Sequence, residues 1–111
     1  MKTRQNKIAK QIQKDISEII QLHVRDMIRG KMLTVTNVRI SADLSIARIY
    51  ISVFPSQNSS ETISVLNDHL GLFRNELGKK LRFQVKKIPE ISFILDDTLD
   101  YIENIDNLLK K

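Results

Sequence analysis

Two runs of β-branched residues lie close together near the middle of the chain, "LTVTNVRIS" at 33–41 and "SIARIYISVF" at 45–54, with only Ala42, Asp43 and Leu44 between them. Val, Ile, Thr and Tyr suit the pleated, half-buried surface of a strand. Three residues are enough to reverse the chain but too few for a crossover, so the spacing predicts an antiparallel hairpin. In the second run Ala47, Ile49, Ile51 and Val53 share one face, and Ile46, Arg48, Tyr50, Ser52 and Phe54 share the other. An isolated hairpin is marginal in water, so its flanks must cover the apolar face.

Both flanks read as helices. Over 4–28, Ile8, Ile12, Ile16, Ile19, His23 and Met27 recur at three- and four-residue steps and form one stripe, with Lys7, Lys10, Lys14 and Arg25 opposite. Gly30 is a stop signal for this helix. After Pro55 and a polar loop, Asn58 and Glu61 form a variant of the capping box. A second stripe then runs through Ile63, Leu66, Leu70, Phe73, Leu77 and Leu81, interrupted by Gly71. "PEISFIL" at 89–95 reads as a third strand, and Asp97 as the cap of a short last helix carrying Ile102, Ile105, Leu108 and Leu109. The predicted order is α-β-β-α-(break)-α-β-α.

A chain of 111 residues, 41% hydrophobic and 28% charged, fits one soluble domain with a single core. It has no cysteine, hence no disulfide framework and no thiol chemistry. No apolar run approaches the roughly 20 residues of a membrane span, and the basic start "MKTRQNKIAKQ" lacks the apolar stretch of a secretory signal. A cytoplasmic protein is expected. The net charge of +5 is unevenly spread. Residues 1–31 hold eight Lys/Arg against three Asp/Glu, and residues 74–87 six against one, each a net +5; residues 88–109 hold six Asp/Glu and no Lys/Arg. Separate basic and acidic regions suit a polyanionic partner met in a fixed orientation, although such charges also serve solubility alone.

Catalytic constellations are hard to find. His23 and His69 are far apart, and His23 lies on the core stripe. Asp96 and Asp97 fit a turn and cap better than a cation site. "GKK" at 78–80 lacks the preceding strand and glycine spacing of a P-loop. No cofactor, metal or small-molecule substrate is expected. Gly71 admits two readings: a tolerated weak point in a helix that lets another element pack closely, or a deliberate break whose free backbone N–H groups face phosphate.

Three ordered motifs resemble the ribosome-binding factor A family. "VRISADLSIARIYIS" at 38–52 is similar to the family's Val-x-x-Ser-x-Asp-Leu-x-x-Ala-x-Val-Tyr-Val-Ser hairpin through Val38, Ser41, Asp43, Leu44, Ala47, Ile49, Tyr50, Ile51 and Ser52. "FRNELGKKLRF" resembles its Arg-x-x-(Leu/Ile)-Gly-x-x-(Leu/Ile/Met)-Arg segment through Arg74, Leu77, Gly78, Leu81 and Arg82. "PEISFILDDTLDYIENIDNLL" is similar to its closing strand and helix. The resemblance implies an α+β, type II KH-like domain of αββααβ order with a mixed three-stranded sheet and a short C-terminal helix. A helix–kink–helix stands there in place of the Gly-x-x-Gly loop. The kink would fall at His69, Leu70 and Gly71, with a histidine where the family commonly has alanine.

The function implied is a monomeric, non-enzymatic assembly factor. It binds the free small (30S) ribosomal subunit and its 16S rRNA, assists late maturation and processing of that RNA, and matters most in the cold. The candidate RNA-contacting residues are Lys7, Lys10, Lys14, Arg48, Arg74, Lys79, Lys80, Arg82, Lys86 and Lys87. With six aromatics, four of them phenylalanines assigned to the core, the chain suits backbone and shape recognition better than base reading. Tyr50 could stack on a base or cover the core. A generic KH-like binder of single-stranded RNA is the alternative, and an enzyme accessory or protein–protein adaptor using the acidic C-terminal end is a third reading from another class.

Overall fold

The structure, a computed structural model, describes residues 3–28, 30–83 and 85–97. Thr3–Met27 form α1, 25 residues with no internal Gly or Pro. Its inward stripe is Ile8, Ile12, Ile16 and Ile19 as expected, joined by Ile20 and by the carboxylate of Asp15. His23 is half-buried, and the side chains of Arg25 and Met27 lie outside the described ones. The chain then turns at Gly30, whose φ of 76° is in the left-handed region that glycine enters without steric cost.

Met32–Ile40 form β1 and Ile46–Phe54 form β2, antiparallel to it. The connection is Ser41–Ser45, two residues longer than the Ala42–Leu44 turn predicted, because Asp43 organises it. Its Oδ1 accepts from the hydroxyls of Ser41 (2.8 Å) and Ser45 (2.7 Å) and from the Ser45 N–H (3.1 Å). Those donors, Ser45 first, hold the Asp43 carboxyl down at about 2. Leu44 takes φ 62° inside this loop.

A bulge at Thr36 shifts the register between Val35 and Asn37, so that Val35 and Val38, three residues apart, both point into the core. The Thr36 hydroxyl donates to Asp96 Oδ2 at 2.5 Å. Glu90–Leu95 form β3, which pairs with β2 in parallel from Ile46↔Glu90 to Ile51↔Leu95. The sheet order β1-β2-β3 therefore puts the hairpin's second strand in the centre. Two amide-bearing side chains reach strand β1 from α1: Gln5 Nε2 donates to Ile40 O (3.4 Å) and Gln13 Nε2 to Val35 O (3.3 Å).

Ser59–Asp68 form α2 and Leu70–Leu81 form α3. The capping box expected at Asn58 is not formed. Asn58 is the N-cap residue but lies in the left-handed region (φ 58°) with no side-chain cap bond, and Glu61 contributes only its charge at the positive end of α2. Asn67, near the end of α2, makes a two-point contact with β3: Nδ2 donates to Phe93 O (3.0 Å) and Oδ1 accepts from Phe93 N (2.9 Å).

The helices supply Ile12, Ile16, Ile63, Leu66, Phe73, Leu77 and Leu81 to the core, and the sheet supplies Ala47, Ile49, Ile51, Val53, Ile91 and Phe93. Phe73 and Phe93 meet edge to face at 4.9 Å. Each fully buried large aliphatic or aromatic side chain contributes roughly 1.5–3 kcal/mol of transfer free energy. Of the four phenylalanines assigned to the core, only these two are there; Phe54 and Phe83 are exposed. The helix expected after Asp97 lies outside the described residues. No helix among the described residues is long and apolar enough to cross a membrane.

Candidate nucleic-acid interface

The expected break in the apolar stripe over 59–81 is present: α2 and α3 are separate helices that meet at His69. Its backbone (φ −113°, ψ 25°) is neither helical nor left-handed, and it closes α2 and opens α3 at once. The His69 N–H donates to Leu66 O (3.1 Å), one residue short of the α-helical partner. The carbonyl thereby released, Val65 O, accepts from His69 Nδ1 at 2.8 Å, so Nδ1 carries the ring proton. On the other side, His69 O accepts from Leu72 N (3.1 Å) and Phe73 N (3.3 Å) and starts α3. The imidazole thus supplies the donor that a broken helix lacks. Gly71, two residues on, is an ordinary first-turn residue without positive φ, and a Cβ there would meet nothing within 4 Å. The expected break is there, but His69 rather than Gly71 is its distorted residue, and Gly71 is not a site of close packing.

What Gly71 does instead is leave the first turn of α3 bare, whereas Gly78 has the Ile88 side chain 3.5 Å from where a Cβ would stand. Gly71 and Gly78, two turns apart, lie in an open groove with Ile88, and Arg74, Lys79 and Arg82 line the same groove. Lys79 reaches Glu76 only at 3.4 Å and is two-thirds exposed. Three cations beside the uncovered backbone at Gly71 form a surface onto which a polyanion's backbone can settle closely. Phe83 stands at the end of this helix with the Arg82 guanidinium over its ring, 4.5 Å from the centroid.

The other candidate residues fall elsewhere. Lys80 leaves the groove on the opposite flank of α3, where its Nζ bonds Glu18 Oε2 of α1 at 2.9 Å. That bond raises the Lys80 pKa and lowers that of Glu18. Beneath this seam Asp15 is 4% exposed; Oδ1 accepts from Gln11 (2.9 Å), and Oδ2 has no hydrogen-bond partner among the described residues. Burial pushes its carboxyl up.

Lys86 and Lys87 are exposed beside the hairpin tip, where they share a concavity with Asp43 and Ser45. Arg48 is on the open face of the sheet, directly across from Arg39. Lys7, Lys10 and Lys14 are exposed along α1, and Lys10 borders a cleft that α1 makes with Arg39. Tyr50 is half-buried on the open sheet face with Arg39 5.8 Å from its ring centroid.

Two residues of this surface were missed in the sequence. Arg39 belongs to a strand and falls between the basic clusters. Phe83 reads as the next apolar residue after Leu81; the adjacent Arg82 was its only signal. Among the described residues no group of three His, Cys, Asp or Glu is placed to hold a metal ion.

The family model described as ribosome-binding factor A matches residues 4–109. A ribosome-binding factor A from Christiangramia forsetii is 39% identical over 108 residues, covering 96% of this chain and 82% of the relative. The crystal structure of ribosome-binding factor A from Thermus thermophilus superposes with a TM-score of 0.68 at 21% identity, covering 82% of this chain and 94% of that one. Coordinates of the Thermus thermophilus factor as fitted into a cryo-EM map of its complex with the 30S subunit superpose at 0.60 with 22% identity, covering 78% and 89%. These likenesses establish the KH-like α+β fold that the resemblance implies, and the elements run in its αββααβ order. With a family model spanning nearly all its length and a curated relative at 39% identity, the chain belongs to the ribosome-binding factor A family.

Proposed function

We propose that this protein binds the free small ribosomal subunit through the bare, basic face of α3 and assists late maturation of its 16S rRNA, without catalysing a reaction itself. Family membership supports the ribosomal partner. The observation that carries the choice of surface is the convergence of Arg74, Lys79 and Arg82 on a groove whose helix backbone is exposed at Gly71. Phosphates of a folded RNA can approach such a helix closely, and the three cations neutralise them in place.

Lys86 and Lys87 extend the basic surface toward the hairpin tip, and Arg48 with Arg39 forms a second, outlying cationic patch. Lys80 serves the fold through Glu18 rather than the RNA. Lys7, Lys10 and Lys14 supply general positive potential. The protein acts as a monomer in the cytoplasm, and its contribution is greatest in the cold, where misfolded rRNA escapes slowly.

Sucrose-gradient fractionation of a lysate tests the partner: the protein should travel with free small subunits and not with assembled ribosomes. Depletion of the protein, with mapping of 16S rRNA ends at low temperature, tests the role in maturation; unprocessed ends should accumulate. A protein that stays at the top of the gradient at low salt sinks the reading.

A further inference from the structure

The geometry points to Phe83 as a stacking platform for an unpaired RNA base, an inference that rests on the proposed RNA-binding role of the α3 groove. Phe83 is 87% exposed, more than Leu22, Met32, Ile46 or Phe54. Its position is built. Leu81 and Val85 on either side are buried in the core, and Val85 N donates to Leu81 O at 3.2 Å, closing a turn that can only throw residues 82 and 83 outward.

The ring is also held. The Arg82 guanidinium lies over one face at 4.5 Å from the centroid, a cation–π contact that limits the ring's freedom before any ligand arrives. With one face taken by the guanidinium and the ring 87% exposed, the other is open. Arg82 belongs to the groove as well, beside Arg74 and Lys79. With the Arg82 guanidinium 4.5 Å from the ring centroid, a phosphate held by Arg82 lies beside Phe83.

Exposed aromatics beside backbone-binding cations are how proteins hold single-stranded bases without reading their sequence, since every base has a π face. A base inside a duplex offers no free face. The ligand class is therefore an unpaired nucleotide flanking or bulging from the structured RNA bound in the groove. The protein would hold that nucleotide out of its helix. Backbone and shape recognition along α3 is thereby joined to one stacked base at its end.

The chain contains no tryptophan, so Phe83→Trp introduces a single indole as an optical probe. Three variants, Phe83→Ala, Phe83→Trp and Phe83→Leu, are titrated with purified free small subunits and, separately, with a 12-nucleotide oligoadenylate and a fully paired RNA duplex. Thermal unfolding should be the same for all, because the side chain is outside the core.

The expected result is that Phe83→Ala and Phe83→Leu weaken subunit binding about tenfold, Phe83→Trp retains it, and the indole is quenched by the subunit and the oligoadenylate but not by the duplex. Subunit binding by Phe83→Ala equal to wild type, or an indole insensitive to both the subunit and the oligoadenylate, overturns the platform. If Phe83→Ala binds normally while Arg74→Glu with Lys79→Glu does not, the platform falls and the ribosomal reading stands. If wild type fails to bind the subunit but the oligoadenylate quenches the indole, the ribosomal reading falls and the platform stands.

Discussion

The basic face of α1 and the basic face of α3 sit in segments of equal net charge, +5 each, yet they are different surfaces. On α1, Lys7, Lys10 and Lys14 follow the helix along its solvent side, spaced by helical turns, and Lys10 borders the cleft that α1 shares with β1. On α3, Arg74, Lys79 and Arg82 line a groove with bare backbone at Gly71, with an exposed aromatic at the end. The first arrangement raises local potential; the second adds a shape that a phosphate backbone fits. Charge count does not separate them. What separates them is where side chains are missing.

The strongest way to break this contrast is charge reversal. Arg74→Glu, Lys79→Glu and Arg82→Glu together should lower small-subunit binding by on the order of 100-fold at moderate salt, measured by pelleting, with unchanged circular dichroism. Lys7→Glu, Lys10→Glu and Lys14→Glu together should lower it by less than about tenfold. Equal losses would make the α3 groove no more than one part of a diffuse potential. Lys80 is left out of the first set because a glutamate there would face Glu18 and report on folding instead.

Salt dependence sharpens the same contrast. With about five phosphates neutralised, log affinity should fall against log salt with a slope of roughly −3.5 to −4.5. The α3 set should bring that slope toward zero by about 2–3 units, and the α1 set by less than about 1. A wild-type slope near zero would remove phosphate contact as the basis of binding altogether.

The two helices also meet, and the seam makes a prediction about pH. Asp15 is buried, and that burial pushes its carboxyl above its ordinary value of 3.8. Above that raised value the folded chain bears the cost of the buried charge. As pH falls through it, the folded state takes up its proton before the unfolded state does, and the cost disappears. Asp15→Asn should therefore raise the melting temperature at pH 7, with the gain shrinking to nothing below the ordinary aspartate value. Asp43 works in the opposite direction: its carboxyl is held at about 2, so the stability it lends is present above 3.8 and is lost as pH falls toward 2. In a melting series from pH 7 down to pH 2, Asp43→Ala should close the gap with wild type only at the acid end.

The smallest effect concerns the glycine beside the break. Gly71→Ala should stabilise the fold by about 0.5–1 kcal/mol, since the residue is helical and a methyl group meets open space. If RNA lies on that bare face, subunit binding should fall although the fold is firmer. Thermal melts and pelleting of one variant read both. Destabilisation would mean that the helix break needs Gly71 after all.

Much of this was legible before any coordinates. β-Branching and a short connection define the hairpin, and Ile8, Ile12, Ile16 and Ile19 mark the inner side of α1. Three things were hidden. The bulge at Thr36 puts Val35 and Val38 on one face, which strict alternation forbids. The position of the break depends on a side-chain bond from His69 to Val65 O, whereas propensity points to the nearest glycine. The sorting of lysines also depended on what stands across from them: Lys79 and Lys80 are neighbours in sequence, but Lys80 faces Glu18 across sixty-two residues. Periodicity finds the inside of a helix well because burial repeats with the turn. It is poor at dividing the outside, where the neighbouring element decides.

The contacts of Gln5, Gln13 and Asn67 bear on how such a small sheet avoids adding to itself. Its two boundary strands, β1 and β3, each carry backbone groups that a fourth strand would use as a template. At β3, Asn67 occupies both the N–H and the carbonyl of Phe93, in effect a one-residue imitation of a neighbouring strand. At β1, Gln5 and Gln13 occupy the carbonyls of Ile40 and Val35. Three carboxamides carried by α1 and α2 thus occupy backbone groups of Ile40, Val35 and Phe93 on the two margins, where the extended backbone of another polypeptide would otherwise pair.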